Sequence, residues 1–312
     1  MLCYVGALGS MVALPDTDDE VTIALHTTGG LKRALRGGVT NDVFSRKRSW
    51  TFAYSKLIDE QIAYLDALAY GSLPGPLRLV DTRRPNRLPE DFAAGGSVSA
   101  SNAMIATDAS SAAYYHPMTD TGTGTATLPP SPMLRGYTEW QILTTNGGAF
   151  LRPYDSRYLD ARWRVPVLPG EDVEVGVWFT GPASTSLHLG VTYVGLAGVI
   201  GSVDLPYVTP DPTGWTELTA TVTPPVGTVA AYPYVQADSV HAPVGTSFLL
   251  TAWSMGPPRS GSVPGLQRVC AVPDISAGWR IGGGGPFVVV EPGDSTYADA
   301  VFGGQTVTLH ET

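Results

Sequence analysis

Among the aromatic residues of the central part of the chain, Trp140, Trp163, Trp178, Tyr193, Trp215, Tyr232, Tyr234 and Trp253 are the most suggestive. An aromatic ring at a protein surface offers a face on which a pyranose can stack, while polar neighbours hydrogen-bond the sugar hydroxyls. Trp215, Tyr232 and Tyr234 are the candidates for such a glycan-binding surface. The two tyrosines, two residues apart, share one face of a strand. The same residue types also build cores. Trp178 and Trp253 sit among apolar neighbours, and Tyr232 and Tyr234 suit either role.

Glu139, Glu171, Asp172 and Glu174 are of the type that hydrolyses glycosidic bonds when two of them meet across a sugar. Nothing in their spacing singles out a pair, and no Gly-x-Ser-x-Gly elbow, P-loop or dinucleotide fingerprint occurs. The expectation is a protein that is not an enzyme, with no catalytic residue and no cofactor. The histidines (His26, His116, His188, His241 and His310) form no His-x-His or His-x-x-x-His pair, so no local metal site is expected. His26 and His188 fall in strand patterns, as surface or internally satisfied residues. Asp16–Glu20 offers oxygen ligands but lacks the glycine spacing of a calcium loop, and reads as a solvated turn. Gly282–Gly285 precedes no helix that would present N–H groups to a phosphate, and reads as a flexible β-loop. Two basic clusters, Lys32, Arg33 and Arg36, then Arg46, Lys47 and Arg48, read as a protein–protein contact or a solvated hairpin arm; between subunits such an arm would suit a salt-linked interface with an acidic neighbour.

The elements that must position these residues are strands. The 312 residues include 36 Gly and 26 Pro, and 43% apolar residues supply ample core. Turn-formers at that density exclude helical bundles and coiled coils and predict an all-β chain. Charge is uneven: residues 1–95 carry 11 basic and 11 acidic side chains, and residues 96–258 carry 5 and 12. The net charge of −9 argues against general nucleic-acid binding. Cys3 and Cys270 are too few for a disulfide framework. They read as reduced thiols, or as a pair if the chain ends meet. Met1–Leu14 lacks a basic start, so no secretory leader is expected, and no apolar run reaches the length of a membrane-spanning helix.

Trp50, Phe52 and Tyr54 alternate as in a strand; Leu57, Ile58, Ile62, Leu65 and Leu68 then follow a helical spacing. A helix over Lys56–Ala69 is predicted, with Ser55 as N-cap and Gly71 just past its end. Strands are expected at Glu139–Thr144, Ala161–Val165, Val173–Phe179, Ser186–Val194, Trp215–Val222, Val229–Val235 and Ser247–Trp253, the pattern of a sandwich or jelly roll. Small-residue linkers at 92–101 and 256–265 bound this region. Two later strands, Pro286–Val290 and Gln305–His310, make a poor domain alone, and are expected to complete the sheet begun by residues 1–92. The predicted organisation is residues 1–95 plus 262–312 as one discontinuous domain, with 96–261 inserted into it. A Cys3–Cys270 contact would follow from it.

Arg48-Ser-Trp-Thr-Phe-Ala-Tyr54, the helix to Leu68, Gly75–Asp81 through Leu88, and the ending Gly304–Glu311 resemble minor tail proteins of long-tailed bacteriophages. Trp163–Phe179, Gly214–Thr219 and Phe248–Ser254 resemble carbohydrate-binding jelly rolls. The combined plan is similar to siphophage distal tail proteins. That resemblance implies a tail-tube-like β-sandwich with one helix, interrupted by an inserted β-sandwich. It also implies a homo-oligomeric ring, usually a hexamer, that joins the tail tube to the tip complex in the virion after assembly in the host cytoplasm. The implied partners are the tail tube, tape measure and tail-tip hub proteins, and host cell-wall glycan through the insertion. Genome DNA would only pass through, and a membrane would not be engaged. The alternative is a glycan-binding module of a bacterial surface or secreted protein.

Overall fold

A computed structural model describes residues 3–15, 17, 21–33, 39–73, 75–93, 104–106, 111–116, 137–142, 149–153, 164–238, 240–258, 268–270, 282–297 and 303–312. The chain is all-β in antiparallel pairs with one helix of three turns, and it divides into two compact units, 1–80 with 286–312 and 81–285. In chain order, the first unit opens with β1 (Cys3–Gly6), β2 (Val12–Ala13), β3 (Thr22–Arg33), β4 (Val39–Leu57), α1 (Asp59–Ala69) and β5 (Leu77–Asp81). The second carries the single turn α2 (Glu90–Ala93), then β6 (Met104–Ala106), β7 (Ser111–His116), β8 (Tyr137–Ile142), β9 (Ala149–Pro153) and β10 (Val165–Pro166). It continues with β11 (Val173–Thr180), β12 (His188–Gly195), β13 (Gly198–Asp204), β14 (Trp215–Val222), β15 (Ala230–Ala237), β16 (Ser247–Gly256) and β17 (Arg268–Cys270). The chain then closes the first unit with β18 (Phe287–Tyr297) and β19 (Gly303–Glu311).

The first unit is one sheet in the order β2-β1-β5-β18-β19-β4-β3. Trp50, Phe52 and Tyr54 alternate inward along β4, as do Val307 and Leu309 along β19, and Ile62, Leu65 and Leu68 of α1 pack with them. Tyr64 Oη donates to Val5 O (2.8 Å), and Gln305 Nε2 to Asp66 Oδ1 (2.8 Å), pinning the helix to both β1 and β19. Burial pushes the Tyr54 hydroxyl far above its usual range, with the neighbouring Cys3 adding to the effect. Gly71 follows the helix with φ +66°, and its N–H bonds to Leu68 O. The helix start differs from expectation. Ser55 is not the cap, because β4 keeps its pairing with β19 as far as Leu57. The cap residue is Ile58, whose N–H donates to the Gln61 side chain (3.1 Å).

Beyond Ser49, β4 has left β19 and is paired with β3 alone, from Leu25–Arg48 outward to Arg33–Val39. That two-stranded arm is roughly 30 Å long at ~3.4 Å per residue. At its base the Arg48 guanidinium donates to both carboxylate oxygens of Glu311 (2.9 and 3.0 Å) and lies over Trp50.

The second unit is a sandwich of two sheets, β13-β12-β15-β9-β6 with β10 on β15, and β17-β14-β11-β16-β8-β7. One core joins them: Val175, Val177 and Phe179 of β11 and Phe248, Leu250, Trp253 and Met255 of β16 meet Leu189, Val191 and Tyr193 of β12 and Val235 of β15. On β16 the inward set changes from even to odd numbers. Two β16 residues, Ala252 and Trp253, stand opposite the single Val177, and Ala252 takes φ +49° to make this bulge.

The units change over at 80/81 and 285/286, whereas the small-residue stretches put boundaries near 95 and 262. Segments on both flanks are bound to the sandwich. Arg87 donates to Glu171 through Nη1 and Nη2 (2.6 and 2.5 Å), and Asn86 bonds Trp253 O and Met255 N. Gly282–Gly285 is not a flexible loop, because it is buried and bonded to Leu88 and Asn86. Cys3 is a buried free thiol in the first unit, and Cys270 ends β17 opposite Trp215 in the second.

Candidate functional site

Because Leu189, Val191 and Tyr193 enter the sandwich core, His188, Gly190 and Thr192 face the other way. On β15, Val235 and Ala237 enter the core, so Tyr232, Tyr234 and Gln236 share that outer face. The register aligns His188 with Gln236, Gly190 with Tyr234 and Thr192 with Tyr232. On the other flank Asp204 stands opposite Gly190, and Ser202 opposite Thr192.

Gly190 is what lets this face form. A Cβ there would lie 2.2 Å from Tyr234 Cζ, so only glycine allows the ring to lie across β12. Tyr234 Oη thereby reaches over one strand and donates to Asp204 Oδ1 on the next. Burial, then the Asp204 hydrogen bond, raises the Tyr234 hydroxyl well above its usual range.

Two loops complete the cluster. The chain after β13 is tied down where Leu187 and Val208 pair, and it places the Tyr207 ring 4.6 Å from His188 and 3.6 Å from His241, stacked on the latter. After β15, Asp238 Oδ1 accepts from Val240 N, His241 N and His241 Nδ1 (3.0, 2.9 and 2.7 Å), and Oδ2 accepts from Tyr207 Oη (3.0 Å). His188 Nε2 donates to Gln236 Oε1 (2.9 Å) and stands 3.6 Å from Asp204. Burial alone would raise the Asp238 carboxyl, but its hydrogen bonds from His241 and Tyr207 outweigh this and hold it below the usual range. Burial and the bond to Asp238 push Tyr207 up to about 12.

The side chains of Asp204, Asp238 and His241 are 55%, 35% and 34% exposed. Their chemistry is hydrogen bonding. An ionised Asp238 is an acceptor and not a general acid, and Tyr207 stacks on His241 with the tilted His188 ring close by.

The aromatic residues singled out from sequence divide. Tyr232 and Tyr234 lie on this face, but they are only 6% and 5% exposed. Trp215 is on the other sheet, 2% exposed and packed with Trp178 and Ala252. As placed, none of the three presents a ring to solvent, which corrects the stacking role; Tyr234 instead braces three strands. Tyr207, Asp204, Asp238 and His241 were not singled out. Their signals were Asp-x-x-His at 238–241 and a glycine in mid-strand at 190.

Of the basic residues, Arg48 is corrected as an interface element, since it is buried and committed to Glu311. Lys47 is exposed opposite His26, and Arg46 stands opposite Thr27. Lys32 and Arg33 end β3, opposite Thr40 and Val39. Arg36 and most of the Asp16–Glu20 cluster lie outside the described residues. Glu171 is held by Arg87, Asp172 accepts from Thr223, and Glu174 is buried four residues along β11 from Trp178, which faces Glu217. Glu174 and Glu217 are thus offset by four residues along the sheet, about 13 Å of backbone. Glu139 lies on β8. Among the described residues no cluster of three or more His, Cys, Asp or Glu could hold a metal, and no helix is long and apolar enough to cross a membrane.

No family model matches the chain, and no curated protein matches it. Among solved structures, it is similar to the enzymatically active domain of bacteriophage CBA120 tailspike protein 4, with 13% identity over 56% of this chain, 22% of that one, and a TM-score of 0.36. It is similar to the α-L-arabinofuranosidase MgGH51, with 16% identity over 59% of this chain, 28% of that one, and a TM-score of 0.40. A third is the CBM22-1 xylan-binding domain of Paenibacillus barcinonensis Xyn10C, with 10% identity over 55% of this chain, 92% of that one, and a TM-score of 0.34. The chain therefore spans less than a third of the first two proteins and most of the third.

Proposed function

We propose that this chain is a non-enzymatic structural protein of a long-tailed bacteriophage tail tip. Its interrupted unit joins copies of itself into a ring between tail tube and tip complex, and its inserted sandwich contacts host-surface glycan. The observation that carries the reading is the β3–β4 arm, a ribbon projecting from the edge of the sheet with Lys32, Arg33, Arg46 and Lys47 along it. A long two-stranded edge is a liability in a monomer and an asset in an assembly. The tail tube, tape measure and hub proteins are the proposed neighbours, a hexamer the proposed state, and the virion the proposed location. Light scattering with negative-stain imaging of the purified chain tests this. Rings of several 32.9 kDa copies are expected; a monomer that stays single when mixed with tail tube and hub proteins sinks the ring.

The Tyr207–Asp238–His241 and Tyr234–Asp204 cluster favours a second reading, a glycan-binding module of a bacterial surface or secreted protein. Tight glycan binding by a chain that never assembles would make that the better account.

A further inference from the structure

We infer that Arg78 anchors a ligand site in the first unit, and that the site takes an organic acid, one carboxylate on an apolar body. The inference is independent of the ring and of the glycan contact proposed above.

Three arginines are buried among the described residues: Arg48, Arg78 and Arg87. Arg48 has Glu311 and Arg87 has Glu171. Arg78, on β5 and 1% exposed, has neither an ion pair nor a hydrogen bond, and its Nε and Nη1 are buried without an acceptor. Its guanidinium lies over the Phe287 ring, 4.2 Å from the centroid, where β5 pairs with β18. Asp81, the acid three residues along β5, is taken by Arg83. Burial pushes the Arg78 guanidinium down to about 9, so it still carries its charge at neutral pH. A buried cation without a counter-charge is costly, and an orphaned donor of this kind calls for an acceptor.

Phe287 also lines a groove. Strand β5 starts at Leu77, opposite Val288, so β18 runs on through Val289 and Val290 with no described strand on that side. Leu68, Leu73, Leu77, Phe287, Val289 and Val290 wall the space that results, about 600 Å³, within the size range of small-molecule sites. Its lining is apolar apart from Thr312. Such a lining favours a hydrocarbon, and the Arg78 charge favours a carboxylate. Phe287 serves both, half-buried in the wall and stacked on the guanidinium. A turn of its ring brings the ligand's carboxylate to Nε and Nη1.

The test is calorimetry on the full chain with octanoate, its uncharged counterpart octanol, and acetate. Octanoate is expected to bind about tenfold more tightly than either, and Arg78→Met to remove that preference. Without ligand, Arg78→Met is expected to keep or raise the thermal midpoint, because an apolar chain replaces an unpaired charge. A lower midpoint, or a variant that fails to fold, shows that Arg78 has a partner within the chain and overturns the inference. The wild-type comparison stands apart from that variant. Octanol binding as tightly as octanoate leaves Arg78 no role and overturns the inference. Acetate binding as tightly as octanoate removes the groove from the site, and binding of none of the three removes the site; either result overturns it.

Discussion

Arg48 and Glu311, one at the base of the arm and the other at the end of the last strand, form a two-pronged ion pair, with the Arg48 backbone N–H adding a third bond to the same carboxylate (3.0 Å). The arm is thereby locked to the sheet's final strand at the point where β19 stops supporting β4. Removing Glu311 leaves a buried guanidinium with its carboxylate gone, the costlier half of such a pair to orphan. Glu311→Ala is expected to cost about 3 kcal/mol, and Arg48→Ala about 2 kcal/mol because Glu311 can rehydrate. Urea unfolding of both variants checks the order, and equal or negligible losses would contradict it.

Gly190→Ala puts a methyl group where the Tyr234 ring lies. The ring must swing away and release Asp204, at a cost of roughly 1–3 kcal/mol. In a Tyr234→Phe background the same substitution should cost less, since the bond to Asp204 is already gone. Strict additivity in that double-mutant cycle would show that Gly190 does not act through Tyr234.

Asp238 and Tyr207 respond to opposite ends of the pH scale. Asp238 is held below its unfolded value of ~3.9, so its contribution is complete above about pH 4 and is lost as pH falls through the lower folded value. Tyr207 is pushed up to about 12, so its contribution is complete below pH ~10 and is lost as pH rises through about 12. Asp238→Asn should flatten the acid limb of thermal stability. Tyr207→Phe should remove one late-ionising tyrosine from an ultraviolet titration, and an early one lost instead would refute the assignment.

Ala252 occupies left-handed backbone inside a strand and is buried against Trp178 and Trp215. A β-branched residue tolerates that conformation poorly and overfills the site. Ala252→Val is expected to destabilise by about 3 kcal/mol, read as a fall in the unfolding midpoint. An unchanged midpoint would mean that the bulge carries no strain.

Several features of the fold were legible in residue order, because the forces that make them are local. Gly and Pro density marked an all-β chain, the Trp50–Phe52–Tyr54 alternation marked the inward face of β4, and helical spacing marked α1 as far as Gly71. Trp215–Val222 matches β14 end to end. The helix start was illegible because pairing with β19, some 250 residues away, holds Ser55–Leu57 in a strand. β13 was missed because its glycines dilute the alternation that its pairing to β12 restores.

The site divides along the same line. Period-two spacing by itself determined that Tyr232 and Tyr234 share a face, since successive side chains of any strand alternate. Which face it was, only the tertiary structure decided. The small residues Ala231 and Ala237 enter the core with Val235, because β11 and β16 fill that space with large side chains. The bulge at Ala252 likewise turns Trp253 inward, where alternation alone would leave it facing out. Asp204, Tyr207, Asp238 and His241 come from a strand end and two loops, and no local pattern links them. Asp238 meets Tyr207 and His241, and the close approach over Gly190 brings Tyr234 to Asp204; those are properties of the packed sandwich, set by sheet register and by contacts far apart in the chain.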